Sequence, residues 1–296
     1  MKNDLVSIIV PTYKGSDIIC KCIDSIIQQS YKNIEVIVVD DNGKDTQEQI
    51  ATEEKLQKYI NILGFQYVAH EKNKNGSAAR NTGLKKAIGE YICFFDDDDV
   101  YYMDAINAMY EKLKSTSEEC ALVYCSLASV SNSGQQRVIE ARKDGEMLVD
   151  YLLRKVFLCS SNVMFKRQVI DEIGGFDESF KRHQDMEVIT RVLVKYLAVH
   201  ENYIGIKKVW LKRNLPTEAC IVEAYGQHYI GKMKPYIEKL PQLDQERIYS
   251  HFYIDWSKGY LYERNFKKFW YYAMLSTHPI KCTALAVKYV VGQLIH

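Results

Sequence analysis

The sequence lacks several features that would point to other classes of protein. Its eight cysteines form no CxxC pair, and no apolar stretch in the 296 residues approaches the roughly 20 that cross a bilayer. The first apolar run, residues 6–10, is short and ends at Pro11, unlike a signal peptide. The formal net charge of +1 gives no sign of a nucleic-acid partner. We therefore expect a cytoplasmic globular protein with reduced thiols.

Strand-like and helix-like segments alternate over the first hundred residues. Four short apolar runs, at residues 6–10, 34–39, 65–69 and 91–95, are predicted as buried strands, and helical spacing fills the segments between them. Such alternation predicts a parallel sheet covered by helices on both faces. Ligands of these sheets bind beyond the carboxyl ends of the strands.

The rest of the chain divides into a mixed segment and a helical one. Strand and helix patterns continue to about residue 215, and residues 216–296 resemble helices rich in Tyr, Phe and Trp. We therefore predict an α/β domain over 1–215, with halves of about 1–100 and 101–215, and a helical C-terminal region over 216–296. The boundary is expected near Pro216.

Four consecutive aspartates, Asp96 to Asp99, follow the fourth predicted strand. Carboxylates in a row repel one another, and a solvated charged face is not expected directly after a buried strand. A hard divalent cation such as Mg²⁺ or Mn²⁺ would relieve the repulsion, and such ions are often shared with substrate phosphates. The alternative is an acidic turn in which Asp99 or Asp104 caps the next helix.

Other polar segments are expected near the same edge of the sheet. Pro11-Thr12-Tyr13 ends the first strand and offers backbone groups and an aromatic face, and Asp41 follows the second strand. Residues 73–83 form a glycine-containing loop and a helix start that suit an anionic phosphate, with Arg80 in the first turns. Asp185 lies just before a predicted helix, either as an N-cap or as a general base. Each segment alone also has a purely structural interpretation.

Together these segments resemble family 2 of the bacterial glycosyltransferases over about residues 5–213, in order and in spacing. That family implies a GT-A fold, a Rossmann-like, mostly parallel sheet flanked by helices, here with a helical C-terminal extension. The matching motifs are Val6-Ser-Ile-Ile-Val-Pro-Thr-Tyr13, Glu35-Val-Ile-Val-Val-Asp-Asp-Asn42, Asn75-Gly-Ser-Ala-Ala-Arg-Asn-Thr-Gly-Leu84, Gly89-Glu-Tyr-Ile-Cys-Phe-Phe-Asp-Asp-Asp-Asp99 and Gly174-Gly-Phe-Asp-Glu178.

The resemblance implies donor-binding roles for the residues near the strand ends. Thr12, Tyr13 and Asp41 would hold the uridine of a UDP-sugar, with Asp41 accepting the uracil N–H and Pro11 supplying backbone groups. Arg80 would lie at the diphosphate or the donor sugar.

It also implies the metal ligand and the base. Asp98 would bind Mn²⁺ or Mg²⁺ directly, Asp96 would contact ribose or sugar, and Asp97 fills the variable middle place of the Asp-x-Asp motif. Asp185 matches the catalytic base of the family's Glu-Asp pair, whose first acid is replaced here by Gln184. An Arg-x-His that many members have is replaced here by Arg213-Asn214-Leu215.

The expected activity is an inverting, single addition of a sugar from a UDP-sugar to an acceptor hydroxyl. The acceptor would be a glycan or a lipid-linked saccharide, in the biosynthesis of a bacterial surface polysaccharide, lipopolysaccharide or capsule. The rival functions are a nucleotidylyltransferase and a non-catalytic nucleotide-sugar-binding protein. The first normally needs a basic, glycine-rich loop where this chain has Pro11-Thr-Tyr-Lys-Gly15.

The last segment, residues 251–296, combines aromatic and basic side chains. Its cations, which face only Asp255 and Glu263, are Lys258, Arg264, Lys267, Lys268, Lys281 and Lys288. This composition is typical of a helix lying in a membrane interface, so we expect a peripheral contact with the inner face of the cell membrane. The alternatives are a helical cap that packs its aromatics against the domain, and a dimer interface.

Overall fold

The computed structural model describes residues 2–131, 134–209 and 218–295, with side chains described as far as residue 292. The described residues form two compact units. The first comprises residues 2–131, 134–148 and 156–209, and the second comprises residues 149–155 and 218–295. The boundary expected near Pro216 lies outside the described residues, as do Asn132 and the segment from Arg213 to Leu215.

The first unit is built on one mixed sheet, and the described residues contribute nine strands to it. Their order across the sheet is β3-β2-β1-β4-β8-β6-β9-β5, and β7 pairs with β6. The strands are β1 (Lys2–Thr12), β2 (Ile34–Asp40), β3 (Phe65–Ala69), β4 (Gly89–Phe94), β5 (Val100–Tyr101), β6 (Cys120–Val130), β7 (Gln136–Ile139), β8 (Val163–Lys166) and β9 (Leu197–Val209).

Helices flank this sheet in the first unit and form most of the second. Those of the first unit are α1 (Ile19–Ile27), α2 (Gln47–Leu56), α3 (Gly76–Lys86), α4 (Ala105–Lys114), α6 (Arg167–Glu172) and α7 (Gln184–Leu193). The helices α8 (Ala219–Ile237), α9 (Gln242–Tyr262), α10 (Phe266–Leu275) and α11 (Pro279–Ile295) belong to the second, as does the short α5 (Leu148–Leu152) except for its first residue.

The alternation predicted for the first hundred residues is confirmed. Strands β1 to β4 pair in parallel, and β3 has the predicted bounds. Beyond β4 the sheet is more antiparallel than expected, because β8 enters between β4 and β6 in the opposite direction. Strand β9 was not predicted, because half-buried polar residues at its start, such as His200 and Glu201, interrupt its apolar pattern.

Helix α3 packs closely on strand β1, and this packing fixes the position of the helix. A Cβ at Gly83 would lie 2.3 Å from Cγ2 of the fully buried Ile9, so this helix can approach the strand only with glycine there. The aliphatic core above and below β1 is otherwise well filled, since Val6, Ile8 and Val10 are also fully buried. Such cores tolerate added volume poorly.

The second unit is a helical assembly with an aromatic core. Trp256 of α9 is buried against α8, where a Cβ at Gly226 would lie 2.7 Å from the indole. Arg154, from the segment that joins this unit, pairs with Asp255 of α9 at 2.5 Å. None of the helices that the structure describes has the length and apolar character needed to cross a bilayer.

We predict that Gly83→Ala destabilises the protein. The added methyl group must displace Ile9 in a filled core, which typically costs about 1–3 kcal/mol. Thermal unfolding followed by circular dichroism measures the effect. Lys86→Ala, at an exposed position of the same helix, is the matched control and should leave the melting temperature nearly unchanged. Equal melting temperatures for the two variants would contradict the packing argument.

Candidate active site

The carboxyl ends of β1, β2 and β4 lie side by side, which is the arrangement that the sequence predicts. In the strand register, Thr12 lies opposite Asp40 and Ile9 lies opposite Phe94. The loops that follow β1 and β4 are joined directly, because the Thr12 hydroxyl donates a hydrogen bond of 2.6 Å to the Asp97 carboxylate. The loop after β1 and the aspartate run after β4 therefore meet at one edge of the sheet.

The loop after β1 contains the three residues expected at the uridine. Pro11 and Tyr13 are half-buried, and Thr12 is buried with its hydroxyl donated to Asp97. Glycine at position 15 makes this bond possible, since a Cβ there would lie 2.1 Å from Oδ2 of Asp97 and 2.5 Å from Oγ1 of Thr12. The Asp97 side chain therefore connects the loop after β1 to the loop after β4.

The Asp41 carboxylate organises the loop that leads into α3. Its Oδ1 accepts hydrogen bonds from Nδ1 of His70 at 2.7 Å and from the Lys74 amide at 2.9 Å. Its Oδ2 accepts from Nδ2 of Asn73 and from the Asn75 amide, both at 2.9 Å. A carboxylate offers about four acceptor positions. All of them are used here, so a uracil N–H would have to replace one of these donors.

Arg80 links the start of α3 to two other segments. The helix begins with Asn75 as its N-cap, whose side chain accepts the Ala78 amide. One guanidinium nitrogen of Arg80 donates to Oδ1 of Asp96 at 2.7 Å, and the other donates to Oε1 of Gln184 at 2.9 Å. The arginine therefore connects the aspartate run to the first residue of α7.

Three of the four consecutive aspartates form a compact cluster. Asp96, Asp98 and Asp99 each offer one carboxylate oxygen within 4.8 Å of the others. Lys208 of β9 enters the same cluster, with its Nζ 2.7 Å from Oδ2 of Asp99 and 3.4 Å from Oδ2 of Asp96. Capping does not explain the run, because Asp104 is the N-cap of α4 and its side chain makes no capping bond.

The chemistry of this cluster fits Mg²⁺ or Mn²⁺. Both ions prefer oxygen ligands and are commonly held by one or two carboxylates together with substrate phosphates. Asp99 is 0% exposed, and its Oδ1 has no hydrogen-bond partner among the described residues. A buried carboxylate oxygen without a donor is costly, and a cation would satisfy it. The cluster includes Asp98, the metal ligand expected from the sequence, and adds Asp99.

Burial and opposite charges act against each other on the titrating groups of the cluster. Burial raises the pKa of Asp96, but Lys208 and Arg80 outweigh it and hold that pKa below its usual value. Burial likewise lowers the pKa of Lys208, and the charges of Asp99 and Asp96 more than reverse the shift. Burial raises the pKa of Asp99 to about 7 against the opposing charge of Lys208. With 2.7 Å between Nζ of Lys208 and Oδ2 of Asp99, the two groups form an ion pair.

Asp185 lies in the first turn of α7 and does not cap it. The N-cap is His183, in a left-handed conformation, and Oδ1 of Asp185 accepts the Met186 amide at 2.9 Å. The half-buried carboxylate and the aspartate cluster both lie close enough to the Cys159 thiol to act on it. Burial raises the pKa of the Cys159 thiol to about 12, and the charges of Asp99, Asp185 and Asp96 add to this shift.

Two residues of the site were not identified from the sequence. Lys208 is buried on β9, whereas lysine is usually exposed, and a buried lysine indicates an ionic partner. His70 is buried and bridges Asp41 and Thr82.

Comparison with known proteins agrees with this arrangement. Residues 7–174, more than half of the chain, match the family described as Glycosyl transferase family 2. The amylovoran biosynthesis glycosyltransferase AmsB of Erwinia amylovora is 28% identical over 255 residues, which cover 81% of each protein.

Two solved structures show the same fold. Residues 1–349 of S. aureus TarS in complex with UDP-GlcNAc superpose with a TM-score of 0.58 at 15% identity, over 97% of this chain and 89% of that TarS chain. The mannosyltransferase PcManGT of Pyrobaculum calidifontis, in complex with GDP-Man and Mn²⁺, gives 0.60 at 20% identity, over 98% of this chain and 80% of PcManGT. The expected GT-A fold is thus confirmed, and the chain belongs to glycosyl transferase family 2.

Proposed function

We propose that the protein transfers one sugar from a UDP-sugar to an acceptor hydroxyl, with inversion at the anomeric carbon and with Mn²⁺ or Mg²⁺ as cofactor. The main observation behind the proposal is the path of two hydrogen bonds from Asp96 through Arg80 to Gln184. It connects the acidic cluster, suited to a cation and a diphosphate, to the residue beside Asp185. A transferase of this type needs both groups at one edge of the sheet.

In the proposed reaction Asp185 is the general base. Its carboxylate takes the proton of the acceptor hydroxyl while the hydroxyl oxygen forms a bond to the anomeric carbon. The bond from that carbon to the diphosphate breaks in the same step, and its electron pair leaves with UDP. Attack from the face opposite the leaving group converts an α-linked donor into a β-glycoside.

The leaving diphosphate needs positive charge. A divalent cation held by Asp98 and its neighbours would supply it when bound. The guanidinium of Arg80 lies against Asp96, and its buried Nε has no hydrogen-bond partner among the described residues. We propose that Arg80 contacts the diphosphate or the donor sugar, as the resemblance implies.

For the nucleotide we propose a site formed by Pro11, Thr12, Tyr13 and Asp41. Of the four donors on Asp41, two are backbone amides and one is the buried His70. The Asn73 side chain is the donor that can rotate away without moving the backbone. Uracil would therefore bind by replacing Asn73 on Oδ2 of Asp41.

The acceptor and the cellular location are proposed from the resemblance and from the relatives. AmsB is named for amylovoran biosynthesis. We propose a comparable role in bacterial surface polysaccharide biosynthesis, with a glycan or lipid-linked acceptor and a cytoplasmic protein. Release of UDP from a panel of UDP-sugars, with and without EDTA, tests the proposal. GDP-Man, followed by release of GDP, is tested beside this panel because PcManGT was solved in complex with it. Nucleotide-sugar binding without release of UDP would favour the non-catalytic alternative.

We also propose that the outer face of α10 contacts the surface of the inner membrane. The inner face of this helix is used in packing, since Phe269 and Tyr272 are buried. Phe266, Trp270 and Met274 form a stripe at helical spacing and are 57%, 53% and 67% exposed. A helix that is apolar on both faces is unusual at a protein surface that meets only water.

The charge of this segment suits an anionic lipid surface. From residue 266 to the end, the sequence contains four lysines and no Asp or Glu. Lys267 of α10 and Lys281 and Lys288 of α11 are exposed, and Lys268 pairs with Glu223. Exposed Trp, Phe and Lys together are typical of interfacial helices. A second copy of the chain is the alternative occupant of the stripe.

We predict that Asp98→Ala lowers turnover by about 100-fold or more and weakens UDP binding in the presence of Mn²⁺, because the leaving group loses its positive charge. Steady-state UDP release and calorimetric titration with UDP measure the two effects. Asp104→Ala, an exposed acid a few residues further on, is the control and should behave as wild type. Full wild-type activity in EDTA, or normal kinetics of Asp98→Ala, would exclude the metal role.

We predict that Asp185→Asn keeps donor affinity and loses turnover by about 10²–10⁴-fold, the range typical of a general base. Calorimetry with the UDP-sugar separates the two properties. If donor affinity collapses as well, Asp185 is a binding or folding residue. The anomeric configuration of the wild-type product, determined by NMR, tests the mechanism separately, and retention would exclude a single displacement.

We predict that the full chain floats with vesicles containing phosphatidylglycerol and that the double substitution Trp270→Ser/Met274→Ser abolishes flotation. Point substitutions change only the exposed stripe, whereas truncation after Asn265 would also remove the buried Phe269 and Tyr272. Leu63→Ser is the matched control, because Leu63 is 99% exposed in the other unit.

Full-length protein that stays with the soluble fraction at low salt would rule out the membrane contact. Light scattering distinguishes the alternative, since a dimer that the double substitution dissociates would show that a second copy covers the stripe.

A further inference from the structure

Strand β9 places an ammonium group inside the candidate cation site. Lys208 is 8% exposed, and its Nζ contacts Oδ2 of Asp99 at 2.7 Å and Oδ2 of Asp96 at 3.4 Å. Its neighbour Lys207 points the other way and is exposed, as the alternation of a strand requires. One lysine of this pair therefore contacts two of the three carboxylates that could hold a metal ion.

The position of Lys208 changes the charge that an arriving cation meets. The three clustered carboxylates of Asp96, Asp98 and Asp99 contribute −3, and the contacting groups of Arg80 and Lys208 contribute +2. These described groups together carry a net charge of only −1. A divalent ion at these carboxylates would lie close to the ammonium group, in a site of low solvent access where like charges repel strongly.

We propose that Lys208 makes tight binding of the divalent cation depend on the nucleotide. Without UDP, the lysine neutralises the buried carboxylates and holds them in place. The diphosphate adds negative charge and oxygen ligands, so the cation binds tightly only together with it. This inference rests on the proposed function, because it assumes that the ligand of the site is a nucleoside diphosphate.

The contacts of Asp99 explain how the lysine and a cation could share the site. Lys208 occupies Oδ2 of Asp99, while Oδ1 is buried with no hydrogen-bond partner among the described residues. One carboxylate can therefore keep its ion pair and offer its second oxygen to a metal. Lys208 is in this scheme a positioning residue and not a metal ligand, since it holds Asp96 and Asp99 in place and competes with the cation for their charge.

The test measures Mn²⁺ binding to the full chain by electron paramagnetic resonance of free Mn²⁺, with and without saturating UDP. For wild type we expect UDP to tighten Mn²⁺ binding by at least about tenfold, a common size for coupling between two ligands. Lys208→Met should bind Mn²⁺ at least about tenfold more tightly than wild type without UDP, because the competing charge is gone. Lys208→Arg keeps the charge and should retain the wild-type coupling.

Lys207→Met is the matched control and should leave Mn²⁺ binding unchanged. Removing Lys208 leaves a buried carboxylate unpaired, which can unfold the protein. Thermal melts test a destabilised variant as well. Mn²⁺ alone should raise the melting temperature of Lys208→Met more than it raises that of wild type. Unchanged or weaker nucleotide-free Mn²⁺ binding by Lys208→Met, or no effect of UDP on wild type, would overturn the inference.

The binding test and the activity test can fail separately. Metal-dependent release of UDP from a UDP-sugar would support the proposed function even if Lys208→Met binds Mn²⁺ as wild type does. In that case only the role of Lys208 is wrong. If wild type releases no UDP from any sugar nucleotide but shows the expected coupling between Mn²⁺ and UDP, the inference stands and the transferase proposal fails.

Discussion

The mutual repulsion of four carboxylates at the end of a buried strand is the constraint on which the site depends. Each neighbouring segment relieves part of it. Asp97 accepts the hydroxyl of Thr12, Asp96 is paired with Arg80, and Asp99 is paired with Lys208. The loop after β1, helix α3 and strand β9 therefore each contribute a side chain that contacts the aspartates after β4. The need to offset the repulsion among these aspartates determines which elements line the site.

The sequence predicted the parallel half of the sheet and the meeting of its acidic loops, because strand period and strand ends are local properties. It did not predict contacts that depend on distant partners. Lys208 lies 109 residues from Asp99, and a lysine in an interrupted strand gives no local sign of its partner. The sequence also did not decide whether Asp185 is the N-cap of α7. That position is taken by His183 in a left-handed backbone conformation, which a histidine in the sequence does not predict.

The aromatic richness of the second unit has two physical origins that composition alone does not separate. Some tyrosines pack inward and need partners for their hydroxyls, as where Tyr260 and Tyr272 both donate to Glu223, which Lys268 also contacts. These aromatic side chains are therefore used in packing within the second unit itself. Packing leaves the stripe of Phe266, Trp270 and Met274 unexplained, because those side chains remain exposed.

Close approach of charged groups also requires the absence of side chains. A Cβ at Gly76 would lie 2.8 Å from Oε1 of Gln184 and 2.9 Å from Nη1 of Arg80, the two atoms that join α3 to α7. Gly15 has the same role beside Asp97. A methyl group at either position would separate partners whose attraction depends steeply on distance in a buried site. The two glycines are therefore as necessary for the close contacts between the polar and charged groups of the site as those groups themselves.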